Sequence, residues 1–395
     1  RLMLELIRKY KGSFKIAYSV SGVVLDQFER FAPEVIDSFK ELAETGCVEF
    51  LAETCSHSLS SLISPEEFKA QVTEHSHRIE SLFGIKPKVF RNTELIYSDL
   101  IGSMVADMGF TAMLTEGAKH ILGWKSPNYL YTNAINPRLK LLLKNFNLSD
   151  DIAFRFSDRS WSDWPLTTEK YVAWISDTLA KDDIVNLFMD YETFGEHQSA
   201  SSGIFEFMRY LPESILSGTS IKFDTPSGVC KSHQPVAPLH VPFPISWADE
   251  ERDTSAWLGN ELQNEAFNKI YSVEKRVKQT NDFNLISDFR RLQESDHFYY
   301  MCTKFFSDGA VHSYFNPYDT PYEAFINYMN VVSDFMLRVD RATVNSVDTA
   351  GTVIAVEKPP VKEKVVQSVK KAQEKKVKPL KKESVKAKTT KKEKK

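Results

Sequence analysis

The stretch LFMDYETFGEHQ, residues 187–198, decides how the rest of the chain is read. Leu187, Phe188 and Met189 read as the apolar end of a β-strand, and Asp190, Glu192, Glu196 and His197 follow beside Tyr191 and Phe194. Side chains alternate along a strand, so Asp190 and Glu192 share one face and Tyr191 takes the other. Carboxyl groups on a strand tip beside aromatic rings suit acid–base chemistry on a neutral, ring-shaped substrate. A solvated acidic loop after a core strand is the other reading of this stretch taken alone.

Working outward, the strand-like runs are FKIAYSVSG from Phe14, VEFLAET from Val48, KVFRNTE from Lys88, TAMLTEG from Thr111, IAFRFSD from Ile152 and IVNLFMDYET from Ile184. Helical patterns lie between them, as in residues 65–84 and 98–109. Ser64 and Ser98 stand where N-caps belong, and Gly84 and Gly109 stand where helices stop. Strands alternating with helices predict a parallel sheet, and strands this apolar predict one buried on both faces. Glu53, Glu94, Glu116, Asp158, Asp190 and Glu192 all fall at or just past strand C-termini. In a β/α barrel that edge is the catalytic one. Trp161 and Trp164, in DRSWSDWP, offer indole faces that stack on a sugar ring, although either serves equally well to anchor a loop.

Composition narrows the function. Of 395 residues 42% are hydrophobic, with 27 Phe and 15 Tyr, enough for a substantial core, and no run reaches the roughly 18 apolar residues of a membrane span. The net charge of −3 conceals two parts. Residues 358–395 hold 16 Lys and 4 Glu, net +12, which leaves −15 on everything before them. So acidic a body repels phosphates, and a nucleic-acid substrate is not expected. Cys47, Cys55, Cys230 and Cys302 form no close metal-binding pair and read as reduced thiols of a cytoplasmic protein. His75 and His77, two apart on a helix, are a poor metal pair. His297, in SDHFYY, is read either as lining the cleft from the bundle or as a structural histidine.

Past Gly218 the pattern changes. Residues 221–229 read as a short strand, KSHQPVAPLHVPFP as a Pro-rich connection, and the chain from Ala248 as three helices forming a bundle against the barrel. The expected division is a catalytic barrel over 1–235, a helical bundle completing the cleft over 236–342, and a disordered Lys-rich tail over 343–395.

Glycoside hydrolysis needs two carboxyl groups flanking one bond. Glu94 and Asp190 are the strongest candidates, the first beside Arg91 and Asn92, the second beside Glu192 and His197. A guanidinium keeps a nucleophilic carboxylate ionised, and a second acid raises the pKa of a proton donor.

Here the residues resemble a known family. RNTEL around Glu94 and FMDYETFGEHQ around Asp190 look like the third and fourth signature regions of glycoside hydrolase family 57. GCVEFLAETCSHS resembles its second region, matching at Glu49, with Glu53 and His57 nearby, and WADEERDTSAWLGNELQ resembles its fifth. The resemblance spans residues 1–340. It implies an incomplete (β/α)7 barrel followed by a helical bundle, acting on α-glucans by double displacement. Glu94 would be the nucleophile and Asp190 the general acid/base. Glu49, His57, Asp253 and Trp257 would bind or support substrate, and no metal or organic cofactor would be needed. Two departures stand out. The family's His-Gln-Pro at the end of its first strand is absent where expected, and the chain starts at Arg1 within a helical pattern, so a first strand is expected upstream. Asp253 and Trp257 are one residue further apart than in some members. The expected activity is α-amylase-like cleavage of α-1,4-glucans. The rivals are a 4-α-glucanotransferase or branching enzyme on the same scaffold, a polysaccharide deacetylase needing a His/His/Asp metal site, and a non-catalytic glucan-binding protein.

Overall fold

Strand and helix alternate from the start of the chain, and this alternation builds the sheet that carries the site. The computed structural model describes residues 1–306 and 316–348. Its strands are β1 (Ile16–Tyr18), β2 (Val48–Phe50), β3 (Val89–Arg91), β4 (Ala112–Glu116), β5 (Tyr131–Asn133), β6 (Lys140–Lys144) and β7 (Ala237–Leu239). β1 and β2 pair in parallel, with Ile16 opposite Val48 and Tyr18 opposite Phe50. The other five run in the order β3-β4-β6-β5-β7. Along it β3, β4 and β6 are parallel, while β5 lies antiparallel to β6 and parallel to β7. A single parallel bridge between Ala52 and Phe90 joins the two ladders. There Ala52 N donates to the Val89 carbonyl at 2.9 Å, and Arg91 N donates to the Ala52 carbonyl at 2.8 Å. The C-terminal ends of β1, β2, β3, β4 and β6 therefore share one edge.

The caps fall where the sequence puts them. Ser64 accepts from Glu67 N at the start of helix Pro65–Phe83, Gly84 closes that helix at φ 68°, and Ser98 caps helix Asp99–Asp107. All five residues of β4 are buried, as a parallel strand covered on both faces requires. Phe50 stacks on Phe83 at 4.3 Å between ring centroids, pinning helix 65–83 to β2. Phe90, Met113 and Leu141 from the sheet, with Tyr97 from the loop after β3, share one apolar core with Trp257, Phe267, Phe298 and Phe335 from the later helices. The last of these helices is Pro321–Asp348. The Lys-rich tail expected from residue 343 lies, from residue 349 onward, outside the described residues. Among the described residues no helix is long and apolar enough to cross a membrane.

Several expected elements differ. The run IAFRFSD is not a strand: Asn145 caps helix Phe146–Ala153 by accepting from Leu148 N, and the chain then turns. Residues 226–232, which cover the end of the strand expected over 221–229 and the start of the connection after it, form a short helix capped by Thr225 and opened by Pro226 at its first position. Three strands fall outside the expected runs. β5 is only three residues long, β6 is a bare LLL run between lysines, and β7 contains Pro238. β7 lies at the end of the strand order, an edge position that tolerates a residue without an N–H. Residues 184–190 are extended but outside any ladder. They are fixed by Ile184 N to the Asn128 carbonyl at 3.0 Å and Asn145 N to the Asn186 carbonyl at 2.9 Å.

Candidate active site

The site grows from the edge where β2 and β3 end. Past β2 the chain reaches Glu53, only 2% exposed. Ser19 Oγ, just beyond β1, donates to Glu53 Oε1 at 2.9 Å. Glu53 N donates to His75 Nδ1 at 3.2 Å, and His75 Nε2 donates to the Val20 carbonyl at 2.8 Å, so the buried His75 is a structural brace. His57 stands at φ 48° and lies between two acids. Its Nδ1 is 3.1 Å from Glu53 Oε2 and its Nε2 is 2.9 Å from Glu94 Oε1. Immediately after β3, Glu94 and Leu95 both adopt left-handed backbone, φ 55° and 53°. Non-glycine residues rarely hold that conformation, and it turns the chain sharply at the nucleophile candidate. The other carboxylate oxygen of Glu94, Oε2, accepts from Trp247 Nε1 at 2.8 Å. The Arg91 guanidinium lies over the Trp247 ring, 4.9 Å from its centroid.

These contacts push the titrating groups apart. Burial would raise Glu53, but the hydrogen bond and charge of His57, with His75 and Arg91, bring it down to about 2. Burial opposes a proton on His57, yet its bonds to Glu53 and Glu94 and their charges push it up to about 10. As an imidazolium it donates from both ring nitrogens. Burial also works against ionised Glu94, and the His57 bond and charge, the Trp247 N–H and Arg91 outweigh it, so Glu94 stays below the usual carboxylate range. Asp190 moves the other way. Burial and the charge of Glu94 raise it against the pull of Arg91, His57 and His197. Glu192 is raised by burial and by Asp190. One carboxyl held ionised and a second held towards protonation is the division of labour that acid–base assisted displacement requires.

The remaining expected residues separate. Glu192 and His197 stay beside Asp190, His197 Nε2 lying 3.9 Å from Glu192 Oε1, and Phe154 stacks on the His197 ring at 6.3 Å. Tyr191 packs edge-on against Tyr18 at 5.5 Å. Glu49 is diverted: its carboxylate accepts from the N–H and the hydroxyl of Ser227, holding the first turn of helix 226–232. Trp161 packs against Trp174 at 6.0 Å with Arg155 over its ring, which anchors it, while Trp164 is exposed with Arg159 over its ring. Asp253 accepts from Ser255 N at 2.7 Å within its own turn, and Trp257, 2% exposed, is core beside Tyr299. From the fifth signature region it is Trp247 that reaches Glu94. Asp296 is a second residue that sequence reasoning missed. Ser295 N donates to the His57 carbonyl at 3.0 Å, and Ser58 bridges Glu294, bringing helix Ser295–Tyr299 against the site. Burial raises the Asp296 carboxyl against the pull of His57, and Glu94 and Glu192 add to the rise. His297, next to it, gives Nε2 to the Arg291 carbonyl at 3.1 Å. Among the described residues no group of three or more His, Cys, Asp or Glu side chains is arranged to hold a metal ion.

Residues 1–242 match the model of glycosyl hydrolase family 57. The chain belongs to that family. It is 45% identical over 345 residues to a Methanocaldococcus jannaschii protein named "Putative alpha-amylase", a match covering 85% of this chain and 73% of that one. Among solved structures it resembles the Thermococcus kodakaraensis family 57 branching enzyme, with TM-score 0.65 and 14% identity over 89% of this chain and 86% of that one. It also resembles the Thermococcus litoralis 4-alpha-glucanotransferase, with TM-score 0.62 and 16% identity. That match covers 75% of this chain but only 51% of the other, so the chain spans about half of that enzyme's length. As a family 57 member it is a glycoside hydrolase, and its strands and helices are those of the family's (β/α)7 barrel.

Proposed function

We propose that the protein is a retaining, α-amylase-type enzyme that cleaves α-1,4-glucosidic bonds of starch- or glycogen-like α-glucans by double displacement. The observation that carries this reading is the opposed pair: Glu94 held ionised by His57, Trp247 and Arg91, and Asp190 held towards protonation by burial and by Glu94. The Glu94 carboxylate attacks the anomeric carbon while Asp190 gives its proton to the leaving glycosidic oxygen. A glycosyl ester on Glu94 and a shortened glucan result. Water then attacks the same carbon, Asp190 takes its proton, and the Glu94 carboxylate is released. The ester step erases the charge on Glu94 that helps keep Asp190 protonated, so Asp190 becomes a better base when it must act as one. Arg91, Glu192, His197 and Asp296 line the approach as hydroxyl-binding groups. The α-glucan substrate is supported by the 45% identical relative's name. Cys47, Cys55, Cys230 and Cys302 are all buried as free thiols, which suits a reducing compartment, and we place the enzyme in the cytoplasm.

A transferase outcome, with a sugar hydroxyl in place of water, is the second reading, favoured by the branching enzyme and glucanotransferase among the fold neighbours. Incubation with single-length maltooligosaccharides separates the two. Shorter products alone support hydrolysis, and longer or branched products refute it. Glu94→Gln and Asp190→Asn are each expected to lower kcat at least about 10³-fold. Undiminished turnover in either removes that residue from its role.

A further inference from the structure

The chemistry above leaves a buried charge cluster unused. Glu116 at the end of β4 is fully buried, and Lys144 at the end of β6 is 4% exposed. Lys144 Nζ lies 3.0 Å from Asp150 Oδ1 on helix 146–153 and 3.9 Å from Glu116 Oε2. It also lies 5.1 Å from the centroid of the Trp247 ring. Arg252 completes the cluster. Its guanidinium is 4.0 Å from Glu116, 3.6 Å from Asp150 and over the ring of Phe146 at 5.5 Å, and it donates to the Trp247 carbonyl. The loop carrying both residues is tightly wound. Asp249 and Arg252 have left-handed backbone, φ 52° and 54°, and Ser246 N donates to the Arg252 carbonyl at 3.2 Å.

Two cations and two acids brought out of water are a poor way to gain stability, because desolvation offsets much of their attraction. What such a cluster supplies is geometry. It ties three elements of the barrel edge to one loop residue, and that residue is Trp247, whose N–H is 2.8 Å from the nucleophile candidate. With Arg91 4.9 Å from the ring and Lys144 5.1 Å from it, the indole is flanked by cations from β3 and β6. We propose that Arg252, together with Lys144, Glu116 and Asp150, is a positioning group for the nucleophile, acting through Trp247 to hold its indole N–H on Glu94 Oε2. This rests on the assignment of Glu94 as nucleophile.

The test is a double-mutant cycle on the full chain acting on maltooligosaccharides. Trp247→Phe removes the donor and keeps a ring, and kcat falls about 10–100-fold, the range for a hydrogen bond to a charged group. Arg252→Met gives a fall of similar order with KM changed less than about twofold, and Arg252→Lys, which keeps charge and one donor, recovers part of it. The combined variant is no slower than Trp247→Phe alone, because both changes break one path. Multiplying effects, or a change confined to KM, overturns the proposal. Should Arg252→Met fail to fold, Arg252→Lys and Asp150→Asn carry the same cycle. A crystal structure of the least disruptive folded Arg252 variant gives a readout independent of turnover. The indole N–H is expected beyond about 3.5 Å from Glu94, and an unchanged bond there overturns the proposal. Wild-type protein inert on every α-glucan would sink the functional reading, while the structural arm still decides the role of Arg252.

Discussion

Replacing Glu53 by Gln tests the electrostatics of the site at its root. His57, with a side chain 22% exposed, titrates at about 10 when folded against 6.5 in the open chain. Between those values the folded protein keeps a proton that the unfolded chain releases. The stabilisation is therefore whole below pH 6.5 and disappears as pH rises through 10. The interval of 3.5 pH units corresponds to about 5 kcal/mol at most. Seen from Glu53, whose carboxyl drops from 4.5 to about 2, the same pair gives about 3 kcal/mol, present above pH 4.5 and lost as pH falls through 2. These two figures describe one interaction and do not add, and the His57 value is larger because it also counts Glu94. Nitrogen NMR on protein labelled in its imidazole rings should show His57 carrying both ring protons at pH 8. In Glu53→Gln the midpoint should fall by roughly one to two pH units. Loss of resistance to urea should be greater at pH 6 than at pH 9.5. A His57 midpoint below 7 in the wild type would refute the imidazolium and with it the account of how Glu94 stays ionised.

Arg91→Met removes a cation that lowers both Glu94 and Asp190, so the bell-shaped pH–rate profile should move to higher pH with a lower summit, and a shift towards acid would contradict the site's charge balance. Glu49→Ala should cost about 1 kcal/mol of stability through the lost hold on Ser227 while changing kcat/KM less than about twofold. A tenfold rise in KM at unchanged stability would return Glu49 to the substrate-binding role that its motif implies. Trp257→Ala empties a core position and should destabilise by about 3–5 kcal/mol in denaturant melts, and an unaffected midpoint would mean the helical core is not where these contacts put it.

How much of this was legible in the chain depended on the range of the forces involved. The first four expected strands contain β1 to β4, because apolar runs ending in polar residues are local signals. IAFRFSD deceived because its alternation mimics a strand, whereas Asn145 three residues before Leu148 had already begun a helix. β6 was overlooked because three leucines in a row fit a buried strand or a helix equally well. Glu94 and His57 are readable because they follow β3 and β2, and the edge of the sheet collects whatever follows each strand, whereas Asp190 ends an extended segment that joins no ladder. Trp247 stands 153 positions from Glu94, and no local pattern reports which indole of the fifth region will meet the carboxylate. For Glu49 the motif is local and the partner is not. Its motif lies on β2, but its carboxylate accepts from Ser227 on helix 226–232, which overlaps only the end of the strand expected over 221–229.

The single bridge at Ala52 and Phe90 gives the His57–Glu94 contact a second meaning. Only two backbone hydrogen bonds stitch β2 to β3 there, and the imidazole crosses the same seam a few residues later. In many enzymes the reacting groups are a burden that the scaffold tolerates, and deleting them makes the protein sturdier. Here the residue that holds Glu94, the proposed nucleophile, also rivets two ladders together. Drift at Glu53 or His57 would then be opposed by selection for a sound scaffold as well as for turnover, and a descendant that abandoned the chemistry would still have reason to keep both.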